Sequence, residues 1–316
     1  MEALVGDTGF VGSNLCCQRD FDALFHSKNI HKAYGLKPDL LVYAGLRAEK
    51  FLANQMPDQD MESIYQAEGN IRNIQPKKLV LISTIDVFKE PVCVDEDTPV
   101  DVSGLSAYGL NRYRLECWVR GNYPDAVIIR LPALFGIKIK KNFIYDYINV
   151  IPTLLKKEKF EEISMKDSCI SEAYKLQENG FYRCMELDAK RRKELKSRFR
   201  SLGFTALNFT DSRSRFQFYP LSCLWEHIQV LLKKDILLWH PATEPVAAGE
   251  LYRFLAGGSF ENILNETPAA YNYKTKYAKE FHGKDGYIMD KGEVMERIAE
   301  FVAEQEEAGD YESGGI

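Results

Sequence analysis

The chain of 316 residues is 45% hydrophobic, 12% aromatic and 28% charged, with a formal net charge of −5 at pH 7. That is enough apolar material for one large core or two modest ones, which excludes a disordered chain and a small disulfide-stapled fold. No run reaches the roughly 20 apolar residues of a membrane helix, so a soluble, cytoplasmic protein with no membrane partner is expected.

In chain order, Ala3 to Val5 reads as a first strand, and Gly12 to Arg19 as a helix. Asp22 to His26 can form a second strand, and the nearly continuous apolar run Asp39 to Ala44 a third, as befits a strand buried on both faces. Met61, Ile64, Tyr65, Ile71 and Ile74 recur at helical spacing before the strongest strand, Lys78 to Thr84. After a loop rich in Pro and Asp (90–103), Ala107 to Arg120 reads as a helix and Ala126 to Leu131 as a buried strand. Strands alternating with helices predict an α/β fold, a Rossmann-like doubly wound parallel sheet. Between Gly12 and Asp39 there is too little chain for the usual helix, strand, helix and further strand, so the sheet edge on that side should be reduced. Residues 1–136 are expected to form the nucleotide-binding domain, with 214–245 returning to it. A smaller, mixed α/β substrate-binding part would comprise 137–213 and 246–303, and 304–316 would be a flexible tail.

Seven cysteines without a C-x-x-C pair suit reduced thiols, and five scattered histidines give no metal site. The basic tract Lys190 to Arg200 lies among Glu172, Glu178, Glu186 and Asp188, so a solvated helix face is expected rather than a nucleic-acid contact.

Directly after the first strand comes Gly6-Asp7-Thr8-Gly9-Phe10-Val11-Gly12. The first glycine permits a tight turn, the second lets a pyrophosphate approach the backbone, and the third lets the helix pack close. A plain glycine turn is the alternative. The end of the second strand, which selects between NAD and NADP, reads His26-Ser27-Lys28-Asn29 with no acid. Ser27 or Lys28 could hold a 2′-phosphate, which slightly favours NADP, and a solvated loop lysine is the alternative. Thr84 ends its strand, and Tyr108 begins the next long helix with Arg112 four residues on, on the same face. A phenol beside a cation and a hydroxyl donor should have a lowered pKa and exchange a proton with a carbinol or carbonyl oxygen.

At these residues the chain resembles the extended short-chain dehydrogenase/reductases, the nucleotide-sugar epimerases, dehydratases and reductases. The matching pieces are Gly6 to Gly12, Ala44-Gly45, Ile82-Ser83-Thr84 with Val87-Phe88, Tyr108-Gly109 with Glu116, and Arg130 to Gly136 including Leu131-Pro132. The resemblance implies an NAD(P) cofactor touching the glycine turn, Ala44, Gly45, Ser83, Leu131 and Pro132. It implies Thr84 as the hydroxyl that holds the reacting oxygen and Tyr108 as the acid/base. The family's lysine, which anchors the nicotinamide ribose, is replaced by Arg112. The Thr-Asp-Glu triplet of the dehydratases is here Thr84-Ile85-Asp86, which leaves reduction or epimerisation and makes Asp86 a substrate-site candidate. Asn142 falls where family members touch sugar-nucleotide phosphates. A sugar-nucleotide substrate and dimerisation through the Tyr108 helix are further implications, and a catalytically weakened dinucleotide sensor or scaffold is the alternative. Cys117, Trp118 and the Phe216, Phe218, Tyr219 and Trp225 cluster are expected in the core, and His227 and His240 are expected to be structural.

Overall fold

The computed structural model describes residues 1–314, with side chains described to residue 307. Five strands follow the predicted order: β1 (Glu2–Val5), β2 (Ala23–Phe25), β3 (Leu40–Tyr43), β4 (Lys78–Thr84) and β5 (Val127–Leu131). With Leu238–Trp239 they form a six-stranded sheet in the order Leu238–Trp239, β5, β4, β3, β1, β2. Every pairing is parallel, and Thr84 lies opposite Leu131 at the carboxyl end. The sheet stops at β2. Between β2 and β3 there is only a single 3-10 turn, Ile30–Ala33, so no further strand extends that edge.

Helices α1 (Phe10–Cys16), α2 (Lys50–Gln55), α3 (Pro57–Ile74) and α4 (Ala107–Asn122) connect the strands. Pro57 at the N-terminus of α3 has no amide hydrogen to lose, and Asp58 and Asp60 in the first turn suit the positive end of the helix. Ile64, Ala67, Ile71 and Ile74 are buried against the sheet, each large aliphatic contributing about 1.5–3 kcal/mol. Tyr65, expected on that stripe, is 58% exposed because it is one residue out of phase with it. Cys117 is likewise exposed, since the buried face of α4 runs through Arg112, Leu115, Glu116 and Val119. Trp118 packs partly buried against the core.

The chain divides into two compact units, and the first gathers Met1–Ile139, Arg215–Val246 and Ala269–Val294. The segment 269–294, which the sequence assigned to the substrate-binding part, falls in this unit. The buried Gln217 side chain ties the second piece to the third, donating to the carbonyls of Thr243 and Tyr273 (2.6 and 3.0 Å) and accepting from the Tyr273 amide. Glu116 and Arg130 are both buried here as an ion pair, Nη2 to Oε2 2.7 Å, and Arg130 Nη1 lies 3.3 Å from the Nε2 of the buried His240. Burial and the neighbouring Arg130 push the His240 imidazole down to about 3, keeping it neutral. His227 Nδ1 lies 2.8 Å from the Tyr219 hydroxyl.

The second unit holds Lys140–Ser214, Ala247–Pro268 and Met295–Ile316. Its antiparallel sheet sets Tyr182–Cys184 between Leu154–Leu155 and Tyr174–Leu176. The basic tract forms the helix Ala189–Ser201, which buries only Leu195 and Phe199. Arg198 pairs with Asp167 and Glu194, and Arg191 with Glu172, so acids do offset part of the positive charge. Helix Lys291–Gly314 runs through most of the segment read as a tail, and residues 315 and 316 lie outside the described residues. Among the described residues no helix is long and apolar enough to cross a membrane.

Candidate active site at the carboxyl edge of the sheet

The glycine turn leaves β1 at Gly6, whose φ of +97° disfavours any side chain, and a Cβ there would lie 2.4 Å from the Ala44 carbonyl oxygen. At Gly12 a Cβ would lie 2.0 Å from the Gly6 carbonyl oxygen, so α1 can pack on the turn only without one. Gly9 differs: its φ is −76°, and the sole atom within 4 Å of an added Cβ is the Gly6 oxygen at 3.2 Å. Internal packing therefore explains Gly6 and Gly12 but makes only a weak demand at Gly9, which begins α1 with no side chain capping it. A surface that keeps backbone clear in this way fits a pyrophosphate approaching it. Thr8 is exposed, and Phe10 and Val11 are half-buried beside it.

Two strands away, β4 ends at Thr84, and α4 comes close to it because Gly109 carries no side chain. A Cβ at Gly109 would lie 2.1 Å from the Asp86 carbonyl oxygen. Ser106 caps α4, and Asn54 of α2 accepts a bond from the Tyr108 amide (3.0 Å). The buried Tyr108 thereby comes to the end of β4 beside Thr84, whose Oγ1 accepts from the Asp86 amide (3.2 Å). Thr84, Asp86, Tyr108 and Arg112 are brought together at this edge of the sheet.

The electrostatics differ from the sequence expectation. Burial lifts the Tyr108 phenol above the ordinary tyrosine range. Arg112 and Thr84 act against that rise, while Asp86 and Asp60 add to it. The expected lowering of its pKa is thus corrected, because desolvation disfavours the phenolate and two carboxylates share the site with one buried cation. Nor does Arg112 stand as the family's lysine would. Its Nη1 pairs with Asp60, its Nη2 donates to the Arg47 carbonyl (2.7 Å), and its guanidinium lies 4.2 Å from the centre of the Tyr108 ring. Arginine is longer and planar, so it spans the face of the ring to a second helix, where an ammonium would end beside the phenol oxygen.

Ala44 and the exposed Gly45 follow β3 beside Gly6, and Leu131 and Pro132 end β5 beside Thr84. Ser83 points elsewhere, its hydroxyl donating to Glu116 (2.6 Å) because successive strand residues face opposite sides of the sheet. Ser27 and Lys28 are exposed in the turn after β2. Asn142 belongs to the second unit, where its Oδ1 caps helix Phe143–Asn149 by accepting from Ile144 and Tyr145.

Four residues of the site region have partners that the sequence reading did not foresee. Asp7, within the glycine turn, lies 3.1 Å from His26 Nδ1 and so brings a carboxylate to the end of β2, where the sequence shows none. Asp60 holds Arg112 and Asn111. Lys50 Nζ lies 3.0 Å from Asp86 Oδ1, and the Tyr271 hydroxyl donates to the same oxygen (2.9 Å). Each partner is 19 to 185 residues away in sequence, and no local pattern announces such a pair.

No protein-family model matches the sequence, and no curated protein matches it. Among solved structures, the chain has the fold of the extended short-chain dehydrogenase/reductases. A dTDP-4-dehydrorhamnose reductase from Bacillus anthracis, in complex with NADP, is similar with a TM-score of 0.60 and 15% identity, covering 96% of this chain and 97% of that one. A UDP-glucuronic acid 4-epimerase from Bacillus cereus, in complex with NAD, gives 0.58 and 14%, covering 98% and 100%. A NAD-dependent NDP-hexosamine 5,6-dehydratase involved in tunicamycin biosynthesis gives 0.61 and 10%, covering 97% of each chain.

Proposed function

We propose that the chain is a nicotinamide-dinucleotide-dependent enzyme acting on a sugar nucleotide, with Tyr108 as its proton-transfer group. The observation that carries the reading is the buried Tyr108 phenol set beside Thr84 at the same sheet edge as the glycine turn and its clear approach at Gly9. The turn, with Ala44, Gly45, Leu131 and Pro132, would hold the dinucleotide. When bound, that group supplies hydride exchange at the carbon bearing the reacting oxygen. Thr84 orients that oxygen by hydrogen bonding, and Tyr108 exchanges its proton. A phenol held above the ordinary range is protonated at neutral pH, so Tyr108 begins as an acid, which suits reduction of a keto-sugar before epimerisation. Sugar nucleotides are the substrate class because the three similar structures carry such names. Ser27 and Lys28, exposed in the turn after β2, keep NADP ahead of NAD.

A second reading, a dinucleotide-binding protein with weak or no turnover, is favoured by one observation: Arg112 is committed to Asp60 and Arg47. Purified protein should bind NADPH or NADH and lose that binding in a Gly9→Trp variant. It should also reduce a 4-keto-sugar nucleotide at a rate that falls at least a hundredfold in Tyr108→Phe. Binding without Tyr108-dependent turnover selects the second reading, and absence of binding refutes both.

A further inference from the structure

The resemblance implies a cation beside the tyrosine hydroxyl, and Arg112, though its charge acts on Tyr108, is also committed to other partners. It is 4% exposed, and both terminal nitrogens are already bound, one to Asp60 and one to the Arg47 carbonyl. Its contact with Tyr108 is with the ring face.

Another cation stands at the site. Lys50 opens α2, its side chain 48% exposed and its Nζ 3.0 Å from Asp86 Oδ1. Asp86 in turn is tied to the reacting pair, since its amide donates to Thr84 Oγ1 and its charge acts on Tyr108. Tyr271, from the segment 269–294, donates to the same Asp86 oxygen and is itself pushed well up by burial and by Asp86, so it stays a neutral donor. The buried Tyr273 stands behind Tyr271 and also stays neutral. The groups acting on Tyr108 are then Arg112 and Thr84 on one side of the balance, and Asp86 and Asp60 on the other. Asp60 is matched by Arg112, which leaves Asp86 matched by Lys50.

We propose that Lys50, brought in by α2, is a second working cation of this site beside Arg112: it neutralises Asp86 next to Tyr108 and so sets the charge that the carboxylate presents to the phenol. Arg112 is a positioning residue as well as a charge beside the ring. By gripping the Arg47 carbonyl and Asp60 it holds the chain that delivers Lys50 to Asp86, in concert with Asn54 on the Tyr108 amide. The inference rests on the reading of Tyr108 as the proton-transfer group, and it names a residue outside the glycine turn, strand end and helix start that carry the resemblance.

The test titrates Tyr108 itself, in the full chain without dinucleotide or sugar. A fluorinated tyrosine placed at 108 makes the phenol more acidic and brings its titration into the range where the protein stays folded, and 19F NMR follows it. In Lys50→Met the uncompensated Asp86 charge should raise the midpoint by about one pH unit, a tenfold change in proton affinity, and Lys50→Arg should restore it. Asp86→Asn should lower the midpoint, and adding Lys50→Met to it should then change nothing, because Lys50 acts through Asp86. A midpoint unmoved in Lys50→Met overturns the proposal, as does an equal rise in the Asp86→Asn background. A chain that binds no dinucleotide but shows the predicted shifts refutes the proposed function and leaves Lys50 assigned. A dinucleotide-binding chain with an unmoved midpoint does the reverse.

Discussion

Glu116→Gln tests the charge network under β4 and β5. Glu116 is fully buried and Arg130 is 2% exposed, and the carboxylate accepts from Arg130 Nε at 3.1 Å and Nη2 at 2.7 Å, from Ser83 Oγ at 2.6 Å and from Arg120 at 3.0 Å. A glutamine keeps the shape and one acceptor oxygen but turns an NH2 toward donors and leaves the guanidinium without its counter-charge. Removing one partner of a buried pair costs about 3–5 kcal/mol, and the retained oxygen places this variant near the lower end. For a folded unit of this size that is a fall in melting temperature of about 6–12 °C. Trp118, Trp225 and Trp239 all lie in the first unit, so tryptophan fluorescence during thermal or urea unfolding reads that unit. Replacing Glu116 and Arg130 together by Leu and Met should recover most of the loss, because neither charge is then stranded. A cost below about 1 kcal/mol for Glu116→Gln, or a double variant as unstable as the single one, would refute the argument.

Gly12→Ala should damage the turn even though alanine favours helices, because its Cβ would meet the Gly6 carbonyl at 2.0 Å; loss of dinucleotide affinity with a melting temperature several degrees lower is expected by calorimetry. In the second unit, burial pushes the Asp146 carboxyl up to about 7 from an ordinary 3.8. A raised folded value means the neutral form is favoured on folding, so its stabilising contribution is complete below about pH 4 and lost as pH rises through 7. Urea melts followed by circular dichroism between pH 4 and 8 should show this decline in the native chain and not in Asp146→Asn, and parallel profiles would contradict it.

Wherever a local pattern decides, the sequence was sufficient. The apolar runs at 40–43, 78–84 and 127–131 and the helical stripe from Ile64 to Ile74 predicted the parallel sheet and its covering helix, because strand and helix periodicity is a property of neighbours in sequence. The spacing of Thr84, Tyr108 and Arg112 likewise put three groups in one place. What each group does there was decided by tertiary contacts. Arg112 has the position of an anchoring cation, but Asp60, 52 residues away, takes it. Ser83 is next to Thr84 in sequence, yet the strand turns it toward Glu116. Asp86, a substrate-site candidate by sequence, is met by Lys50 and by Tyr271, the latter from 185 residues away. The acidity of Tyr108 could not be read from its neighbours in sequence, because burial dominates it, and burial is a property of the folded unit.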